Sequence, residues 1–367
     1  MKKLFAILLV LVMLFSLAAC KEEAPASDDQ PADNTEVTGD ITGKTVAFIP
    51  KLTGNSFFEA ANDGAQKYAE QWGIEVKYMG SASASVTDQL EVIQQAIDAG
   101  VDAISISSVD ASALDEKLSE AQDMGIVVTT WDSDVSDTSR SLMVSQGTPK
   151  ILGEMLVDMG ADALANRGVD VNGEVKYVWH YSQAAVADQN SWYVAGEEYI
   201  KEKYPTWVAV SDPFYSEQDS QKSVSIGEAI LEAYPDVDLI ICNDSTALPG
   251  QSQAAQNKGL TKDDITITGF CTPSGMTAYL EAGIVEQWGL WDCGIQGALG
   301  CYFAAYLAAG NEVKAGDVID VPGIGECAIV TNDALVPGAT TPDKNNGVVL
   351  LPERVVFTEE NVADYNF

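Results

Sequence analysis

The feature that most constrains this chain is a regular alternation of strand-like and helix-like segments. Short apolar runs such as residues 44–50 (KTVAFIP) and 101–108 (VDAISISS) have the character of strands. Each is followed by a segment with apolar residues at helical spacing, such as 56–73, which stops at Gly73. Four such steps follow one another between residues 44 and 134. This order predicts a parallel sheet that is covered by helices on both faces.

A second unit of the same kind begins after residues 141–149 (SLMVSQGTP). Thr148 is a good N-cap for the helix that follows, and Pro149 suits its first turn. Strands and helices then alternate again up to a long apolar-faced helix at 293–310. The predicted fold class is α/β, with two doubly wound parallel-sheet lobes side by side and a cleft between them.

The N-terminus has the order of a secretory signal: MKK, an apolar run, then LAAC. The apolar run is shorter than the about 20 residues of a membrane span. The small residues before Cys20 resemble the lipobox of bacterial lipoproteins, which implies a lipoprotein signal peptide over 1–20 and a lipid anchor on Cys20. An uncleaved helix anchor is the alternative. Residues 21–43, rich in Asp, Glu, Ala, Ser and Pro, predict a disordered acidic tether.

The charge balance excludes one class of partner. Lys and Arg number 20 and Asp and Glu number 55, a net charge of −35, so nucleic acid would be repelled. A small neutral ligand is compatible with this balance. With Cys20 set aside, five cysteines remain and no C-x-x-C pair is present, which does not indicate a disulfide framework. The single histidine, His180, cannot form a His-rich zinc site, so we expect no metal and no cofactor.

Polar and aromatic residues gather just after the predicted strands. In open parallel sheets, ligands bind at the carboxyl ends of the strands, so residues that follow different strands share one place. These candidate ligand-binding residues are Lys51, Phe57, Phe58, Asp132, Asp134, Asp188, Gln189, Asn243, Asp244, Ser245 and Trp291.

This set of side chains suits a hydroxyl-rich ligand. An ionised Asp accepts hydrogen bonds from two hydroxyls, and Asn and Gln both donate and accept. Rings such as Phe58 and Trp291 would cover the apolar side of a sugar-like ring. Taken singly, Asp132 has the character of a turn residue and Phe57 of a core residue. Lys51 needs a partner, because burying an unpaired ammonium is costly, and Asp132 or a ligand oxygen would serve.

No catalytic signature is found. The sequence lacks the G-x-S-x-G elbow and the Walker A loop, and PKLTGN stands where a dinucleotide-binding loop would follow the first strand. Paired carboxylates make a glycosidase conceivable, but nothing singles out an acid and a nucleophile. We therefore expect a binding protein and not an enzyme. The alternatives from another class are an extracytoplasmic sugar-processing enzyme and a kinase-coupled sensor subunit.

The chain as a whole resembles the type I solute-binding lipoproteins of ABC importers. GNSFFEAANDGAQKYAEQWGIEV is similar to the opening of the ribose-binding class. The set FIPKL, TWDSD, SQGTPKILGEMLVDM, DQNSW, ALPGQSQAA, GLWDCGIQG and NGVVLLPERVVFTEENVADYNF looks like the Lsr-type receptors for autoinducer-2. The resemblance extends from residue 44 to the C-terminus. It implies a receptor for a cyclic hydrated form of 4,5-dihydroxy-2,3-pentanedione, a small furanose-like polyol.

The resemblance also implies particular contacts. The positions that match the family's polar contacts are Lys51, Asp132, Asp188 and Gln189. Where the family usually has a proline and an alanine around an aspartate, this chain has Asn243 and Ser245 around Asp244. The added polar groups keep a pentose or deoxyhexose, such as ribose or rhamnose, as an alternative ligand.

Closure of the two lobes is the expected mechanism. A ligand that touches both lobes binds the closed form better and shifts the population toward it. A membrane permease of an ABC importer would then recognise the closed form. We expect the protein to be a monomer and to lie outside the cytoplasm. Hinge segments are expected near Ser145, near Asp292 and after Gly325. The predicted boundaries are 44–145 with 292–325 for the N-terminal lobe and 146–291 with 326–367 for the C-terminal lobe.

Overall fold

The computed structural model describes residues 39–367, which form one compact unit. The predicted signal peptide, Cys20 and most of the predicted tether lie outside the described residues. The last part of the tether, 39–43, is bound to the folded body. The Gly39 N–H donates to Asn311 Oδ1 at 2.6 Å, and Ile41 packs against the core. Ile41 is the one large apolar side chain of this stretch, and its burial gives 39–43 a reason to dock.

The alternation of strands and helices is confirmed. In chain order the strands are β1 Thr45–Ile49, β2 Glu75–Tyr78, β3 Ala103–Ile106, β4 Val127–Trp131, β5 Leu142–Ser145, β6 Lys176–Tyr181, β7 Val208–Ala209, β8 Phe214–Tyr215, β9 Leu239–Cys242, β10 Thr266–Gly269, β11 Trp288–Leu290, β12 Val318–Val321, β13 Gly325–Val330, β14 Gly347–Leu350 and β15 Val355–Phe357. The helices are α1 Ser56–Trp72, α2 Val86–Asp98, α3 Asp115–Asp123, α4 Pro149–Asn166, α5 Ala187–Lys203, α6 Ser220–Ala233, α7 Ala247–Asn257, α8 Pro273–Glu281 and α9 Cys293–Ala308.

The strands form two main sheets, one for each lobe. The first has eight strands in the order β12-β13-β14-β5-β4-β3-β1-β2, and its pairings from β2 to β14 are parallel. The second has the order β10-β9-β6-β7, with β8 beside β6, and all its pairings are parallel. A small antiparallel pair, β11 and β15, joins the edge of the second sheet through a bridge between Phe270 and Gly289. The predicted fold class is confirmed.

Between residues 39 and 367 the chain crosses from one lobe to the other three times. Residues 146–148 lead from β5 in the first sheet to α4 of the second lobe, and residues 291–292 lead from β11 back to α9. The third crossing, 351–354, leads from β14 in the first sheet to β15. The first two lie where the sequence predicts hinges.

The predicted third hinge and the lobe boundary after Gly325 are wrong. Residues 325–350 contribute β13 and β14 to the first sheet, although the sequence places 326–367 in the second lobe. The physical reason is the parallel pairing of β14 with β5, in which Val348 and Val349 are fully buried between neighbouring strands and helices. Only the chain beyond residue 354 pairs with the second lobe.

Two helices of the first lobe pack at backbone contact and place the pocket's aromatic residues. Asn55 caps α1 by accepting from the Phe57 N–H at 3.0 Å, so both phenylalanines lie in its first turn. A Cβ added to Gly297 of α9 would lie 2.2 Å from the Ala61 carbonyl oxygen of α1. Only glycine therefore allows α9 to approach α1 this closely.

Two smaller features complete the fold. The run WVAVSDPFY at 207–215 has the character of a single strand but forms two short strands, β7 and β8, because Asp212 and Pro213 interrupt the pairing with β6. Among residues 39–367, no helix combines the length and the apolar character that crossing a membrane requires.

Candidate functional site

The carboxyl ends of strands from both sheets meet at one pocket between the lobes. Ten of the eleven predicted ligand-binding residues line it, and Asp134 is the exception. Trp192, Gln218, Phe270 and Leu290 complete the lining. Lys51 and Asp188, 137 positions apart in sequence, are thus neighbours in space, as the position of ligands in parallel sheets requires.

Lys51 forms the ionic centre of the pocket. It follows β1, is only 3% exposed, and its Nζ lies 2.9 Å from Asp132 Oδ2 of the same lobe. Its Nζ also lies 3.4 Å from Asp188, which stands in the first turn of α5 in the other lobe. Ser107 and Ser133 donate hydrogen bonds of 2.7 Å to Asp132 and Asp188 respectively. The predicted partner of Lys51 is confirmed as Asp132, with Asp188 as a second.

The charges of this centre influence one another. Burial alone would lower the pKa of Lys51, but Asp132 and Asp188 outweigh that effect, so its pKa is raised and the ammonium persists. Burial raises the pKa of Asp188, and the Lys51 ammonium only partly opposes the rise. One ammonium shared between two buried carboxylates leaves an excess of negative charge. Such a centre favours hydroxyl donors over anions.

Two hydrogen-bond acceptors on residues that line the pocket have no partner among residues 39–367. Asp244 Oδ1 accepts from the Thr246 and Ala247 N–H groups at the start of α7, whereas its Oδ2 is buried and unpaired. Asn243 donates through Nδ2 to the Gln189 carbonyl at 2.8 Å, whereas its Oδ1 is also buried and unpaired. Unpaired buried acceptors are costly unless a donor reaches them. A ligand with hydroxyl groups would supply such donors.

Aromatic rings form the apolar wall of the pocket. Phe57 and Phe58 pack edge to face, with ring centroids 5.1 Å apart. The centroid of the Phe57 ring also lies 5.8 Å from that of Trp291 at the second crossing. Trp291 in turn contacts Phe270 at 5.5 Å and Trp192 at 5.8 Å, both from the second lobe. The wall is continuous across the two lobes. It gives one face of a bound ring apolar cover while the acidic residues hold its hydroxyls.

Hydrogen bonds between the lobes close the rim of the pocket. Asn55 donates to Thr246 Oγ1 at 3.2 Å and accepts from the Ser245 hydroxyl at 3.1 Å. At another point, the Ala111 N–H donates to the Ala185 carbonyl at 3.1 Å. The structure is therefore a closed arrangement of the lobes. Ser245 lines the pocket, but its hydroxyl is engaged with Asn55.

Asp134 lies apart from this pocket. Its carboxylate forms an ion pair with the buried Arg140 guanidinium at 2.8 Å and accepts a hydrogen bond from Thr130. It lines a neighbouring cavity of about 380 Å³ instead. Asp134 comes three residues after the end of β4, where the chain has already turned away from the pocket. The distance of Asp134 from the strand end in sequence could not show that Arg140 forms an ion pair with this carboxylate.

The sequence reasoning missed Gln218, Phe270 and Leu290 as pocket residues. Gln218 follows β8 by three residues, so the same rule of strand ends would have indicated it. It adopts a left-handed backbone with φ of 55°, which nothing in its residue type signals.

His180 lies outside the pocket: it is buried and bonded to Gln251 at 3.1 Å. Burial lowers the pKa of His180 to about 4, so it stays neutral.

Known proteins resemble this chain over its folded body. LsrB from Clostridium saccharobutylicum, solved in complex with AI-2, is 57% identical, with 88% of this chain and 100% of that chain covered and a TM-score of 0.87. An ABC transporter solute-binding protein from Clostridium phytofermentas, solved with bound L-rhamnose, is 25% identical, with coverages of 88% and 98% and a TM-score of 0.79.

Curated relatives agree with these structures. The ribose import binding protein RbsB of Bacillus subtilis is 26% identical over 272 residues, which are 74% of this chain and 81% of that protein. Residues 46–312 match the family model described as a periplasmic binding protein domain. Because that match spans most of the chain, and the fold has the same paired α/β lobes, the chain belongs to the periplasmic binding protein family.

Proposed function

We propose that this protein is an extracytoplasmic solute-binding protein that captures autoinducer-2 between its lobes and delivers it to an ABC importer. The observation that carries the proposal is the ion-paired centre of Lys51, Asp132 and Asp188, which joins both lobes around one pocket. The 57%-identical LsrB structure contains AI-2, which supports this ligand. The ligand would act as the contact that favours the closed form.

The pocket's polar groups fit a small ring with several hydroxyls. The unpaired Oδ1 of Asn243 and Oδ2 of Asp244 require donors from the ligand. The carboxylates of Asp132 and Asp188 have further lone pairs for hydroxyls beyond those that accept from Lys51 and the serines. Phe57 and Trp291 would cover the less polar face of the ring. A hydrated cyclic pentanedione carries enough hydroxyls to meet these acceptors.

A sugar such as L-rhamnose or ribose is the second candidate ligand. Asn243 adds an unpaired acceptor beside Asp244, and the 25%-identical solute-binding protein holds L-rhamnose. The similar proteins are solute-binding proteins, so we infer that this protein binds its ligand without converting it and is not an enzyme. The lipid anchor at Cys20 and a monomeric state also belong to this proposal.

Calorimetry on the lipid-free body, residues 39–367, tests the ligand directly. The preparation is unfolded and refolded first, so that any copurified molecule is removed and identified. Autoinducer-2, L-rhamnose and D-ribose are then titrated. Tight binding of autoinducer-2 with weaker binding of both sugars supports the proposal. The reverse order selects the sugar receptor, and chemical conversion of any of the three would show an enzyme. A Cys20→Ser full chain that no longer partitions with membranes would support the anchor.

A further inference from the structure

We propose that Gln146 is a positioning residue that holds Asp132 in its ligand-binding geometry and connects it to all three crossings between the lobes. This inference rests on the proposed function of the pocket. Gln146 lies in the first crossing, 146–148, and is only 1% exposed. It is not a lining residue of the ligand pocket.

Asp132 has a backbone conformation that needs support. Its φ is 61°, in the left-handed region that residues with a Cβ adopt at a cost, although aspartate tolerates it better than most. The Gln146 Nε2 donates to the Asp132 carbonyl at 3.1 Å, and the Asp132 N–H donates to the Val144 carbonyl at 3.2 Å. Strained residues persist only where several neighbours hold them. Gln146 supplies one of the two hydrogen bonds on the Asp132 backbone.

The same side chain reaches the second crossing. Gln146 Oε1 accepts from Gln296 Nε2 at 2.8 Å, and Gln296 also donates to the Val144 carbonyl at 3.1 Å. Gln296 Oε1 accepts from the Trp291 indole N–H at 2.6 Å. Gln296 is fully buried, and Trp291 belongs to the pocket wall. A chain of buried hydrogen bonds therefore joins Asp132 to Trp291 through two glutamines.

The backbone of Gln146 reaches the third crossing. Its carbonyl accepts from Arg354 Nε at 2.7 Å, and Arg354 Nη2 donates to the Leu351 carbonyl at 2.8 Å. A Cβ on Gly147 would lie 2.7 Å from that Nη2, so glycine makes room for the guanidinium. Gln146 thus lies in the first crossing, contacts the third directly and reaches the second through Gln296.

The arrangement couples lobe angle to ligand contact. A change of lobe angle requires rotation in residues 146–148, and this rotation moves the carboxamide that holds the Asp132 carbonyl. Because both ends of the carboxamide are buried and bonded, removing it leaves the partners unsatisfied. We therefore expect Asp132 to have its full ligand affinity only in the closed arrangement seen here.

The test uses Gln146→Met, which keeps the length of the side chain and removes its amide. Calorimetry with 4,5-dihydroxy-2,3-pentanedione should show affinity about 10- to 100-fold weaker, on the scale of one or two buried hydrogen bonds. In an Asp132→Asn background the same change should cost clearly less, because contacts that act through each other are not additive. Equal fold-losses in the two backgrounds would overturn the coupling to Asp132. Gln251→Met, which removes a buried carboxamide bonded to His180, is the matched control and should leave affinity unchanged.

A second readout needs no ligand. The indole N–H resonance of Trp291, identified among seven tryptophans by Trp291→Phe, should shift in Gln146→Met and stay in place in Gln251→Met. An unmoved resonance would overturn the link through Gln296. If the unmodified protein binds no polyol, the proposed function fails, whereas this readout still decides on the link. Should Gln146→Met fail to fold, Gln296→Met breaks the same link from the other side and replaces it.

Discussion

Asp188 of the second lobe lies 3.4 Å from the Lys51 ammonium of the first, so a buried ion pair spans the cleft. Lys51 also binds Asp132 of its own lobe at 2.9 Å. The free energy lost when two charges are removed from water is about as large as the attraction gained between them. Such a pair therefore contributes little net stability. Its effect is on geometry: Asp188 meets its counter-ion only when the lobes are together. The ion pair is thus a feature of the closed form.

Lys51→Met should weaken polyol binding by roughly 100-fold or more. The variant leaves two neighbouring buried carboxylates without the ammonium that holds them in place, and hydrogen bonds to charged groups contribute about 1.5–3 kcal/mol each. Calorimetry on the refolded body measures the loss. Lys44→Met is the matched control, because Lys44 pairs with Asp102 at a partly exposed site and should keep full affinity. Equal affinities for the two variants would remove Lys51 from the ligand site.

Asp132→Ala should abolish the heat of ligand binding while the fold stays intact, as circular dichroism would show. Its carboxylate faces the pocket and accepts from Lys51 and Ser107. Asp134→Ala offers the contrast two residues away. It leaves the buried Arg140 guanidinium without its counter-ion, so the melting temperature should fall, yet the folded protein should still bind. Retained binding by Asp132→Ala would contradict the site.

Asp244 should make the protein less stable as pH rises from about 4 to 7. Burial raises the pKa of Asp244 from 3.8 to about 6, so the folded state binds this proton more tightly than the unfolded state does. The stability it contributes is present below pH 4 and is lost as pH rises through 6, a change of about 3 kcal/mol.

Asp244→Asn measures this effect, because it keeps the Oδ1 that caps α7 and does not titrate. The difference in unfolding free energy, variant minus parent, should grow by about 3 kcal/mol between pH 4 and 7. Urea unfolding at several pH values gives that difference and cancels the other titrating groups. A pH-independent difference would show that Asp244 has an ordinary pKa.

Gly297→Ala should destabilise the first lobe by about 1–3 kcal/mol or more. The added methyl would lie 2.2 Å from the Ala61 carbonyl and would push α9 away from α1. Gly294→Ala, whose Cβ would come no closer than 3.3 Å to another atom, is the control from the same helix. Denaturant unfolding compares the two. Similar stabilities would mean that the two helices are not held at backbone contact.

The local pattern of residues predicted the alternation of strands and helices. It did not predict which sheet a strand joins when its partner strand is distant in sequence. The run GVVL at 347–350 has the same character in either sheet, and only its contact with β5 places it in the first. The strand β5, LMVS, lies within residues 141–149, after which the sequence predicts the second unit, and it is not among the predicted strands. The strand ends, in contrast, identified most of the pocket, because parallel sheets bring those ends together.

The sequence by itself determined the alternation of strands and helices, the acidic balance and which polar residues follow strands, since each depends on neighbours along the chain. Only the tertiary structure decided how these residues are partnered. Asp134 forms an ion pair with Arg140, and the Ser245 hydroxyl donates a hydrogen bond to Asn55. Asn243 and Asp244 each have an unpaired acceptor and line the pocket. The placement of Gln146 among all three crossings is likewise a tertiary result. Which side chains pair depends on distances in space between segments that are far apart in sequence. The order of residues does not fix these distances.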